Sequence, residues 1–219
     1  MSITQERATE LLAQFSKRRV IVIGDAFIDK YTRGLSERPN PEDSTTPLLR
    51  YEVEPECFAG GAGNTARNCA SFGARTELVT VVGGDSLGHK FPVLAAKEGY
   101  EASLVADPNR LTIEKHRFVE ARIGRGYLRA DYEGPKHTAP ISEKYVNDVL
   151  NRVKAHIELI DGVLVSDYAK GVVTPALVMQ LLDLAVKHKK PVFADVKPAM
   201  AEYFCGAATL TPNLVEGLE

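Results

Sequence analysis

"GVLVSDYAKGVVTPALVMQLLDLAVKHKKPVFAD", residues 162–195, reads as strand, loop, helix and strand. The ends "GVLVSD" and "PVFAD" are short apolar runs closed by an aspartate, the pattern of strands buried on both faces. Between them Thr174 and Pro175 supply an N-cap and a first helical residue for a helix reaching about His188. Two buried strands joined by a helix make a parallel crossover unit.

The same rhythm extends outward. "RVIVIGD" (19–25), "TELVTVVGG" (76–84) and the start of "ATLTPN" (208–213) read as further strands. Helices are predicted over about 3–17, 61–73, 86–98 and 142–158, the first opened by a Ser2/Gln5 capping box and apolar at Ala8, Leu11, Leu12 and Phe15. Strands alternating with helices predict an α/β fold with a doubly wound, mostly parallel sheet, in one domain over 1–219. Two segments break the rhythm. Residues 31–55 are Pro-rich and then strand-like, and residues 112–132 alternate about a Gly124-Arg125-Gly126 turn, so the two are expected to form a small β lid.

The 219 residues are 44% hydrophobic with a net charge of −2, enough for one good-sized core. Lysines and arginines are scattered, which argues against nucleic acid or a membrane surface as partner. No apolar run exceeds strand length and the N-terminus carries acids, so neither a span nor a signal peptide is expected. Three widely spaced cysteines, Cys57, Cys69 and Cys205, read as free thiols in a reducing cytoplasm. The five histidines never fall at metal-ligand spacing.

"CFAGGAGNTARN" (57–68) asks what its glycines admit. Gly61-Ala62-Gly63-Asn64-Thr65-Ala66 fits the dinucleotide fingerprint, with Asp85 near the place of the ribose-binding acid. The preceding "YEVEPECF" is no buried central strand, because it holds three glutamates and Pro55. A Walker loop is absent, since no Gly-Lys-Ser/Thr occurs. A structural turn, or close approach to a small polar ligand beside Asn64, remains.

Ligands of an open parallel sheet bind beyond the carboxyl ends of its strands. There the predicted strands place Asp25, Asp167, Asp195 and Asn213, with Asp29, Lys170 and Lys197 close behind. Carboxylates suit sugar hydroxyls and Mg²⁺, and lysines suit phosphate oxygens.

"VIVIGDAFIDKY", "AGGAGNTARNCASFGA", "VVGGDSLG", "GVLVSDYAKGVV" and "LTPNLVE" occur in the order seen in ribokinase-like (PfkB) sugar kinases, which the chain resembles from about residue 19 onward. Within that family the resemblance is strongest to kinases of heptose 7-phosphate in ADP-heptose synthesis, carried by "SDYAKG" and "TPNLxE". It implies ATP and Mg²⁺ as cofactors. Asp25, Asp29, Asn64 and the backbone of Gly60 and Gly61 would hold the sugar, with Lys115, Arg117 and Arg129 on the lid near its distal phosphate. Asp167, Lys170, Asp195, Lys197, Asn213 and Glu216 would serve the ATP phosphates, with Mg²⁺ organised through Glu216 by way of water. It also implies a homodimer clasped by two lids.

Two departures stand out. Asp195-Val196-Lys197 replaces the family's Asp-Pro-Lys. No Gly-x-Gly-Asp occurs, although that turn carries the family's catalytic base, so the base and the C-terminal part of the fold are expected beyond Glu219. Two classes of function follow: a sugar-phosphate kinase continued elsewhere, or a short non-catalytic relative that binds sugar phosphate or a partner. A kinase for another sugar is a lesser alternative.

Overall fold

The computed structural model describes residues 3–218. In chain order it holds α1 (Gln5–Phe15), β1 (Arg19–Gly24), β2 (Ala26–Gly34), β3 (Glu56–Gly61), α2 (Ala62–Ser71), β4 (Arg75–Gly83), α3 (Phe91–Lys97) and β5 (Glu101–Asp107). There follow β6 (Glu114–Glu120), β7 (Gly126–Tyr132), α4 (Pro135–Thr138), α5 (Glu143–His156), β8 (Gly162–Ser166), α6 (Pro175–Lys187), β9 (Val192–Asp195), α7 (Pro198–Ala201) and β10 (Thr209–Leu210).

β1 is the axis of the main sheet, which runs β10-β9-β8-β1-β4-β5 with every pair parallel. Its Ile21, Val22 and Ile23 are sealed from solvent, each such burial stabilising by about 1.5–3 kcal/mol. The alternate residues serve two cores. Ile21 and Ile23 pack with α5 and α6 through Val146, Val149, Leu177 and Leu181, while Val22 packs with α2 and α3 through Ala62, Ala66 and Phe91. The expected doubly wound α/β sheet is therefore present. Its winding reverses at β1, between β4 on one side and β8 on the other, so a crevice opens beyond the carboxyl ends of β1 and β8. Toward β8 and β9 the α2 face opens into an apolar hollow of about 700 Å³ lined by Phe15, Val20, Phe72, Leu164 and Phe193.

A second sheet, β3-β2-β6-β7, stands over that crevice. The hairpin is as expected, with Gly124 at φ 67° in its turn. The other half differs from the 31–55 expectation: its strands are 26–34 and 56–61, and between them lies only a bridge from Leu35 to Arg50. Pro39, Pro41 and Pro47 prevent continuous pairing there, and β2 has only three apolar residues, Ala26 to Ile28, before it turns polar. β5 also escaped the sequence pattern, because this edge strand buries only Val105. At the N-terminus Thr4 caps α1, accepting from Arg7 N at 3.2 Å, whereas Ser2 lies outside the described residues.

Candidate functional site

The strand-end residues gather as expected on one edge. Gly24 pairs with Ser166 and Ser166 with Asp195, which sets Asp25, Asp167 and Asp195 side by side at the ends of β1, β8 and β9. Their tasks differ. Asp25, expected at the sugar, is 1% exposed and engaged by backbone amides. Its Oδ2 accepts from Tyr168 N at 2.8 Å and Lys170 N at 3.0 Å, and its Oδ1 from Val172 N at 2.8 Å. Burial pushes its carboxyl above the usual range, helped by Asp167 and opposed by those three amides. Asp167 likewise frames backbone, accepting from Ala169 N at 2.7 Å and Lys197 N at 3.2 Å.

Asn213 and Glu216 form a reciprocal pair after β10. Asn213 Oδ1 accepts from Glu216 N and Glu216 Oε2 accepts from Asn213 N, both at 3.0 Å, which is a capping box. Glu216 Oε1 also takes Lys197 Nζ at 2.6 Å, and this bond to the ammonium draws its carboxyl below the ordinary range. Asp195 is exposed at the end of β9. Partial burial raises its pKa, and the charges of Glu216 and Asp167 add to the rise against Lys197. Lys170 Nζ reaches Glu133 Oε1, 3.0 Å away at the end of the lid.

The lid's inner face follows from register. Asp29 stands opposite Lys115 and Phe58, Arg117 opposite Tyr31 and Arg129, and Lys115 opposite Asp131. All therefore share one side of the sheet. Arg117 pairs with Asp29, and Arg129 forks onto Asp131 at 2.7 and 2.6 Å. Lys115 is 9% exposed, its ammonium 4.3 Å above the Phe27 ring. Burial lowers its pKa, and Lys170 and Arg129 lower it further.

The glycines have a packing explanation. A Cβ on Gly60 would lie 2.4 Å from Asp29 Oδ2 and from the Phe27 ring, and one on Gly61 would lie 2.2 Å from Asp25 O. Their missing side chains admit Asp29, Phe27 and the β1–β2 turn. Beside them lies a cleft of about 240 Å³ lined by Asp29, Tyr31, Arg33, Phe58, Asn64 and Arg67. Asn64 Oδ1 accepts from Arg67, whose guanidinium is 6.0 Å from the Phe58 ring centre and forms no ion pair among the described residues. Tyr31, Arg33, Phe58 and Arg67 were not anticipated. A strand reading of 26–34 would have found Tyr31 and Arg33 by period two from Asp29, and helical spacing from Asn64 would have found Arg67.

The structure thus assembles two groups: Asp29, Asn64, Lys115, Arg117 and Arg129 under the lid, and Asp167, Asp195, Lys197, Asn213 and Glu216 at the strand ends. The edge contact of Phe27 with Tyr168, 5.5 Å between ring centres, joins them. Among the described residues no three His, Cys, Asp or Glu side chains converge to hold a metal ion directly, and no helix is long and apolar enough to cross a membrane.

The profile of the "pfkB family carbohydrate kinase" matches residues 17–218. The bifunctional protein HldE of Bradyrhizobium diazoefficiens is 39% identical over 212 residues, covering 96% of this chain and 42% of that protein. The HldE of Caulobacter vibrioides is 36% identical over 208 residues, covering 94% and 41%. Among solved structures, phosphofructokinase-2 from Escherichia coli superposes with a TM-score of 0.68 at 19% identity, over 91% of this chain and 62% of that one. A possible 1-phosphofructokinase from Thermotoga maritima gives 0.67 at 18%, over 90% and 61%. The chain spans less than half of these curated relatives and about three-fifths of the solved kinases.

Proposed function

The chain belongs to the pfkB carbohydrate kinase family, and from that premise we propose that it is the sugar-handling part of an ATP-dependent kinase acting on a heptose 7-phosphate at its anomeric hydroxyl. The observation that carries this reading is the lid face together with α2 across the cleft, where Asp29 and Asn64 offer acceptors for hydroxyls amid Arg33, Arg67, Lys115, Arg117 and Arg129. A neutral sugar has no use for so many cations; a sugar bearing phosphate has. The curated relatives named HldE support the heptose, and ADP-heptose synthesis would be the pathway.

The strand-end group suits the nucleotide side. Lys170 and Lys197 supply charge for phosphate oxygens. Partial burial raises the Asp195 carboxyl first, and the charges of Glu216 and Asp167 add to the rise, a repulsion that a divalent cation would relieve. Few carboxylates within reach suit Mg²⁺, which usually keeps several waters and is bound through one or two carboxylates and substrate phosphates. When bound, Mg²⁺ neutralises charge on the transferring phosphoryl group. Catalysis by this chain's residues is otherwise positioning: Asp29 and Asn64 orient the sugar, and the lid excludes water.

Calorimetry with heptose 7-phosphate and with the unphosphorylated heptose tests the proposal. The phosphorylated sugar should bind more tightly. Asp29→Ala should weaken it by about ten- to a hundredfold, the loss of one hydrogen bond to a charged group or a little more. Equal affinity for the two sugars would sink the distal-phosphate reading. Sugar binding without turnover in a chain that also carries a Gly-x-Gly-Asp turn, supplied with ATP and Mg²⁺, would instead favour the non-catalytic binder.

A further inference from the structure

We propose that Arg110 is a positioning residue that sets Lys170 by gripping the 168–172 loop and both roots of the lid at once. Arg110 lies between β5 and β6, where the chain passes from the main sheet into the lid, and is 6% exposed. Its guanidinium donates to the carbonyls of His137 and Ala139, on the stretch by which the chain leaves the lid. It also donates to Lys170 O at 3.2 Å. From the other side Asp25 accepts from Tyr168, Lys170 and Val172 N. Lys170 is thus held by its N–H to Asp25 and by its C=O to Arg110.

The loop has little freedom to escape this grip. Gly171, at φ 88°, is so close to the lid root that a Cβ there would sit 2.5 Å from Thr138 O and Ala139 O. Gly171 O accepts from Ile141 N at 2.9 Å. Three carbonyls around one buried side chain call for a planar group with several donors, which arginine has and lysine lacks. Asp25, across the loop, supplies the opposite charge. The consequence is mechanical: the lid roots and the backbone of Lys170 keep one arrangement together. This geometry does not depend on the substrate. That Lys170 meets a phosphoryl group rests on the function proposed above, so the test reads the loop itself.

The experiment compares the 219-residue chain with its Arg110→Met, Arg110→Lys and Glu133→Gln variants. It follows amide hydrogen exchange by peptide mass spectrometry and the labelling rate of lysine amines with pyridoxal 5′-phosphate. Arg110→Met should speed exchange in 135–141 and 166–173 together, by about tenfold or more. Strands 19–24 and 75–83 should stay protected, and labelling of Lys170 should rise while that of Lys190 does not. Glu133→Gln should speed Lys170 labelling alone, because it frees the side chain and leaves the backbone held. Arg110→Lys keeps the charge but cannot span the carbonyls, so it should fail to restore joint protection. It carries the comparison should Arg110→Met not fold. The proposal is overturned if only one segment responds, if neither does, if the core strands open equally, or if Arg110→Lys behaves as the parent chain.

Discussion

Asp85 sits where the dinucleotide fingerprint wants a ribose-binding acid, and it has another task. Its carboxylate accepts from Gly88 N at 2.8 Å, Thr112 N at 2.7 Å and Thr112 Oγ1 at 2.8 Å, pinning the turn after β4 to the connection that leads into the lid. Partial burial pushes its pKa up, but the Thr112 and Gly88 donors outweigh that and hold it below the ordinary 3.8. A depressed carboxyl contributes stability that is complete above its unfolded pKa and fades as pH falls through the folded one. Asp85→Ala should therefore cost about 2–4 kcal/mol at neutral pH, three charge-assisted bonds discounted for partial exposure. The deficit should shrink below pH 3.8. Urea unfolding from neutral to acidic pH measures it, and a deficit independent of pH would mean that the carboxylate is not the stabilising group. At this scale the residue types were legible but some of their partners were not. Asp25 and Gly60 stood out in the sequence, yet only folded geometry shows Asp25 spent on amides and Gly60 making room for Asp29.

Elements were readable where burial on both faces left its mark. β1, β8 and β9 are short apolar runs, and their ends correctly named Asp167, Asp195 and Lys197 as neighbours. β5 and β2 were obscure because a strand that is half wet or lies in a thin layer does not need an apolar run. Arg110 was invisible for a different reason, since its carbonyl partners on His137, Ala139 and Lys170 lie far along the chain. The lid carries the next expectation. β7 is a sheet edge with Leu128 59% and Tyr132 55% exposed, a layer with little of its own to pack against. Two lids clasped face to face would cover it, and Leu128→Glu should then shift a dimer toward monomer by at least tenfold in dissociation constant, as expected when a charge enters an apolar contact. Light scattering across micromolar concentrations decides; a parent chain that is monomeric throughout removes the dimer.

For the molecule as a whole the polar edge and the apolar hollow pull toward different expectations. The edge supplies charge and positioning, but the sequence holds no Gly-x-Gly-Asp turn to remove a proton and cradle the phosphoryl group. Losing a placed base costs about 10²–10⁴-fold and losing an anion hole about 10²–10³-fold, so the 219-residue chain alone should show no measurable turnover with heptose 7-phosphate, ATP and Mg²⁺. Product formation by the purified chain would place the base among Asp167, Asp195 and Glu216. The hollow beside Phe193, itself 42% exposed, should bind an apolar dye such as ANS with the fold intact, and an unchanged dye spectrum would count against it. The central place of β1 has a consequence for how the chain is made. Both of its neighbours, β4 and β8, are complete by Ser166. A ribosome delivering residues in order can therefore close the middle of the sheet early, while β9 and β10 are added at one rim as they emerge. Synthesis would extend this protein sideways from a finished centre, and a pause once Ser166 has left the ribosome would leave a nascent chain whose central strand is already paired on both sides.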